Sequence, residues 1–146
     1  MPAKSTQLCE EMVTYLSGLT FNVTVDFQRT NFVVARAELM KNLTCFVHPL
    51  GITQQVATRG NWRNDYTIGI TLCQLLNTMQ ISEQDELIEV AEQLPLRLIE
   101  WIPPREYLYL DTIAGEGTRL LFDEIQMETY TVFTCEMMVT YRNEEY

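Results

Sequence analysis

Apolar residues along this chain recur with two distinct periods. Tyr66, Ile68, Ile70 and Leu72 alternate with small or polar residues, as do Phe133, Cys135, Met137, Val139 and Tyr141 near the other end. A period of two is that of a strand with one buried face. Phe21, Val23, Val25 and Phe27, set between Asn22, Thr24 and Asp26, predict a third strand of the same kind. Leu8, Met12, Tyr15, Leu16 and Leu19 instead follow the helical period, as do Leu87, Val90, Ala91, Leu94, Leu98 and Trp101. The spacing therefore predicts one helix over Thr6–Ser17 and a second over Ser82–Trp101.

Local residue chemistry sharpens these limits. Ser5 or Thr6 is suited to cap the first helix, and Gly18 to end it in a left-handed turn. Ser82, with Asp85 three residues on, forms a capping pair for the second helix, and Pro95 should kink or split it. Leu43–Val47 reads as a short strand closed by a turn at His48-Pro49-Leu50-Gly51. Gln54–Thr58 leads into a Gly60-Asn61 turn, and the strong strand follows over Arg63–Gln74. Thr30–Asn42 reads as a loop with a short element, Tyr107–Ile113 as a strand, and Thr129–Arg142 as the last strand. The sum is a single α+β domain over residues 1–146, a largely antiparallel sheet with two helices packed on one face.

Charge narrows the range of partners. Ten Lys and Arg stand against 20 Asp and Glu, a formal net charge of -10. Such a field repels polyphosphate, so specific nucleic-acid binding is not expected, although DNA could pass such a surface without sticking. The first seven residues lack the apolar core of a secretory signal, and no run of about 18 apolar residues suggests a membrane span. Cys9, Cys45, Cys73 and Cys135 are scattered with no C-x-x-C pair, which favours buried free thiols in a reducing compartment. The N-x-T triplets at Asn22 and Asn42 are then accidents of composition.

Candidate chemistry is thin. His48 is the one histidine, and beside a Pro-Gly sequence it reads as structural or solvent-facing. No zinc or calcium spacing occurs, and Gly115-Glu116-Gly117 lacks the third glycine of a dinucleotide loop. Glu83, Asp85, Glu86, Glu89 and Glu92 splay around a helix as a solvated face would. No enzyme activity, cofactor or metal is expected from these patterns.

Surfaces carry more information. Arg59, Trp62, Arg63 and Asp65 stand just before the strongest alternation, and Arg with Trp is enriched where chains meet. We take them as a subunit or partner contact, with Glu83 and Glu86 of the acidic helix as a second patch. The competing reading is a surface hairpin whose Trp62 caps the core.

The run Arg59-Gly60-x-Trp62-x-x-Asp65-Tyr66-Thr67-Ile68-x-Ile70 resembles the start of the corresponding strand in tail-terminator and related neck (head–tail joining) proteins of tailed bacteriophages. The order of elements is also similar: an amino-terminal amphipathic helix and short strand, then an acidic helix. The last strand ends here in Phe133-Thr134-Cys135 and Val139-Thr140-Tyr141-Arg142. Pro95 and the stretch Leu108–Met127 depart from that pattern. The resemblance implies a virion protein, assembled in the host cytoplasm, that forms a ring of six copies at the head-proximal end of a tail. Such a ring caps the tail tube and docks the head connector, with DNA passing through its channel. Alternatives are a stopper or adaptor of the same neck, or a soluble α+β ligand-binding or catalytic domain.

Overall fold

The structure is a computed structural model that describes residues 4–31, 42–58, 60–76, 81–101, 108–110, 121–122 and 132–145. Two helices, α1 (Lys4–Ser17) and α2 (Ile81–Glu100), accompany strands β1 (Val25–Arg29), β2 (Leu43–Thr58), β3 (Asn61–Leu75), β4 (Leu108–Leu110), β5 (Leu121–Phe122) and β6 (Val132–Glu145). The strands form one sheet in the order β1-β2-β3-β6-β4, with β5 also on β6. β1 lies parallel to β2, and the other pairings are antiparallel. This is the expected α+β architecture, with β3 central between β2 and β6.

Both helices cover the same sheet face. Leu8, Met12 and Leu16 of α1 and Leu87, Val90, Ala91, Leu94 and Leu98 of α2 share one core with Cys45, Val47, Tyr66, Ile68, Ile70, Leu72 and alternate residues of β6. Tyr15 binds the layer together: its hydroxyl donates to the Arg97 carbonyl at 2.9 Å, and its ring stacks on Trp101. Trp101 in turn meets Tyr141 of β6 edge-on, with ring centroids 5.5 Å apart.

Several local expectations change. His48–Gly51 is not a turn, because β2 runs straight through it. The ladder absorbs one extra residue between Pro49 and Gly51 as a bulge, which places a proline in a strand at the kind of site that tolerates it. Gly18 does not end α1 in a left-handed turn. Its N–H donates to the Tyr15 carbonyl at 3.2 Å, and Leu19 donates to Leu16, a tightened last turn. The glycine at positive φ among the described residues is Gly60, at 89°, in the β2–β3 turn. Ser5 lies inside α1, which begins at Lys4, and Ser82 lies inside α2, which begins at Ile81, so neither caps from outside. α2 continues unbroken past Pro95. The residues 21–24 lead into β1 without being part of it. The strand expected over Tyr107–Ile113 is present in its described part, Leu108–Leu110, as β4; its remainder, most of Thr30–Asn42, the loop at 77–80 and the glycine pair at 115–117 lie outside the described residues.

The second sheet face is not simply wet. Phe46, Cys73 and Val132 form a smaller buried cluster there. Thr44, His48, Thr71, Thr134 and Thr140 are buried on the same side. The central strands are therefore buried on both faces at mid-height.

Candidate functional site

The β2–β3 hairpin reaches beyond the helix layer. On the helix-covered face of β3, Tyr66 and Ile68 are buried, and Asn64 is the last buried position. Two residues further on, Trp62 is 52% exposed, and its partner Val56 on β2 is 60% exposed. Ile52, opposite Tyr66, is 51% exposed. Because cross-strand partners share a face, these three side chains form an apolar row where the chain's own helices have ended. Large apolar side chains exposed on one face in this way, Val56 beside Trp62 and Ile52 beyond the exposed Gln54, are characteristic of contact sites.

The expected contact residues separate into two groups. Trp62, Arg63 and Asp65 lie together at the start of β3, within the ladder rather than in the turn before it, because β3 begins at Asn61. Arg59 lies outside the described residues. Trp62 faces the helix side and is exposed, so it does not cap the core. Arg63 and Asp65 point to the opposite face, since residues alternate along a strand.

Asp65 has an intramolecular role. Arg142, its register partner on β6, donates to both carboxylate oxygens, at 2.8 Å and 3.1 Å. A bidentate Arg–carboxylate pair fixes geometry as well as charge, and here it clamps the foot of the hairpin to β6. Beyond it β6 continues alongside β3, pairing Trp62 with Glu145 and Arg63 with Glu144. The projecting arm therefore has three strands. Glu83 and Glu86 lie in the first half of α2, where Glu86 is exposed and its carbonyl accepts a 3.1 Å hydrogen bond from Asn22 Nδ2.

His48 is buried rather than solvent-facing. A Cβ on Gly69 would come 2.5 Å from His48 Cε1 and 2.8 Å from Nε2. The imidazole thus lies across the bare backbone of Gly69, which must lack a side chain there. Nε2 sits 3.5 Å from the Thr71 hydroxyl, and burial lowers the imidazole pKa. All four cysteines are free and buried, and burial raises their pKa values, to about 12 for Cys9 and Cys135 and about 11 for Cys73. Such thiols are poor nucleophiles. Among the described residues no group of three or more His, Cys, Asp or Glu could hold a metal ion, and no helix is long and apolar enough to cross a membrane.

Sequence reasoning missed Ile52 and Val56 as contact residues and Arg142 as the partner of Asp65. A signal for the first pair was present: β2 carries no Asp, Glu, Lys or Arg along its 16 residues, in a chain that is 21% charged. Neither a scan against protein-family models nor a search of curated proteins returns a match.

Proposed function

We propose that this protein is a structural subunit that works through its surfaces, and that it forms a ring at the head-proximal end of a bacteriophage tail. In this reading it caps the tail tube and joins it to the head connector, without catalysing a reaction. The observation that carries the proposal is the three-stranded arm, with Ile52, Val56 and Trp62 exposed on the face where the helix layer ends. Apolar side chains in such a row favour burial against another chain, at about 25 cal/mol for each Å² removed from water.

A closed ring joins two different patches of each subunit. The arm supplies one patch. The outer face of α2, with exposed Glu86, Glu89 and Glu92, is a second surface for the ring or for the tube and connector. DNA would pass through the channel of a ring of acidic subunits without specific binding. The resemblance of the Arg59–Ile70 run to neck proteins supports this assignment over a generic α+β domain.

The test is the mass in solution by light scattering over a range of concentrations, together with electron microscopy of the same samples. Rings, or oligomers that grow with concentration to six copies or a multiple of six, are expected. A strict monomer at all concentrations would overturn the proposal.

A further inference from the structure

The outer edge of β2 changes character along its length. β1 pairs with residues 43–47, and Thr30 N–H adds one more bond to the Val47 carbonyl at 3.0 Å. Past that point no described strand lies on this side of β2, and every residue from 50 to 56 is exposed. An edge of this kind presents alternate N–H and C=O groups to any incoming strand. Proteins usually guard such edges with charges, prolines or bulges placed along them. Here Pro49 and the bulge sit at the foot of the edge, and nothing ionic follows. In a chain of net charge -10, this is a stretch where a second copy approaches without meeting a like charge at the edge itself.

We propose that β2 of one copy pairs with β2 of a second copy, antiparallel and edge to edge, about a two-fold axis at Gln54. The register follows from the side chains. An antiparallel pair across a two-fold axis normal to the sheet keeps like faces together, so the two residue numbers in each pair must have an even sum. A sum of 108 places Ile52 opposite Val56 of the other copy, twice by symmetry, and Gln54 opposite its own equivalent. Shifting the sum by two in either direction sets Ile52 or Val56 against Gln54, and it breaks the apolar match. Register is strongly specified where one choice alone matches an apolar set. The contact is isologous, the same patch on both chains, whereas the contacts that close a ring are heterologous. It is therefore a different kind of contact from the one that closes the ring: it runs along the outer edge of β2 and shares Ile52 and Val56 with the arm, but leaves Trp62, on β3, for the ring. With both contacts present, the free protein is two rings joined face to face by their arms.

Cysteine cross-linking tests the register directly. Directly opposite residues in an antiparallel pair have Cα atoms about 4.5–5.5 Å apart, within the span of a disulfide. The native thiols are buried, so Gln54→Cys supplies the accessible one. Under mild oxidation Gln54→Cys should give a covalent dimer in high yield, and Gln55→Cys, which lies opposite Thr53 rather than its own equivalent, should give at least several-fold less. The double variant Ile52→Lys/Val56→Lys should lower the mass measured by light scattering at least two-fold, with an unchanged circular dichroism spectrum. No cross-linking at position 54, equal yields at 54 and 55, or a mass unaffected by the lysines would overturn the two-fold contact. Rings that persist under those results leave the ring proposal standing, whereas dimers that never exceed two copies support the two-fold contact and overturn the ring.

Discussion

Individual side chains decide whether this chain tolerates change. Gly69 and His48 form one unit, a ring laid over a bare Cα, and the sequence did not announce it because the two residues lie far apart in the chain. Gly69→Ala should cost about 1–3 kcal/mol, since added atoms in a filled site force neighbours off their positions. Urea denaturation measures this, and a change below about 0.5 kcal/mol would mean the imidazole swings away freely. His48 also makes stability depend on pH. Its pKa is lowered from the ordinary 6.5 by burial, so the unfolded chain takes up a proton more readily than the folded one. Stability should be whole above pH 6.5 and fall as pH drops below that value. His48→Gln should flatten that part of the pH profile. Trp62 is the opposite case, exposed and free of the core. Trp62→Ala should leave the thermal midpoint within a few degrees while weakening association by about 2 kcal/mol, measured as a shift in the concentration at which oligomers form. Loss of the folded state would place Trp62 among the residues that hold the monomer together.

Elements were legible to the extent that their pattern was local. Both helices, the central strand and the last strand follow from apolar periodicity. The buried stripe of α2 from Leu87 to Leu98 is the one its spacing predicts. What failed was punctuation: Pro49 and Gly51 look like a turn, yet a bulge lets the ladder carry them, because the register of β3 continues on the far side. The assumption of one wet sheet face failed as well. Alternation alone would make Thr71→Asp harmless, but Thr71 is buried beside His48. Ile70→Asp and Thr71→Asp should therefore both unfold or severely destabilise the domain, since each buries an unpaired charge. Met138, paired with Gly69 on that same face but exposed, should accept Asp with a change within about 0.5 kcal/mol. Thermal melts of the three variants test this ordering. Pro95 offers the converse experiment. It leaves the Ala91 carbonyl without its usual donor inside α2, and proline costs about 3 kcal/mol in a helix interior relative to alanine. Pro95→Ala should raise stability by a part of that amount.

Charge acts at the scale of the whole molecule. Six chains at -10 each give a ring near -60, and a like-charge field of that size opposes closure. Assembly should strengthen from low to moderate salt, because exposed charges more than about 10 Å apart are screened at 0.1 M. A mass that falls steadily as salt rises would instead point to attractive Arg–carboxylate contacts between subunits. The candidate contact surface was only partly legible in the sequence. Trp62 was singled out by its residue type, but the row it shares with Val56 and Ile52 depends on cross-strand register, which single-chain spacing does not encode. The four buried thiols have a practical consequence at this same scale. Cys9, Cys45, Cys73 and Cys135 lie in α1, β2, β3 and β6, and each is shielded from reagents while its own element stays packed. Timed alkylation of the native protein, read by mass spectrometry at each cysteine, would therefore serve as a four-channel clock of breathing motions. Identical rates at all four sites would show that the sheet and α1 open together as a single cooperative unit.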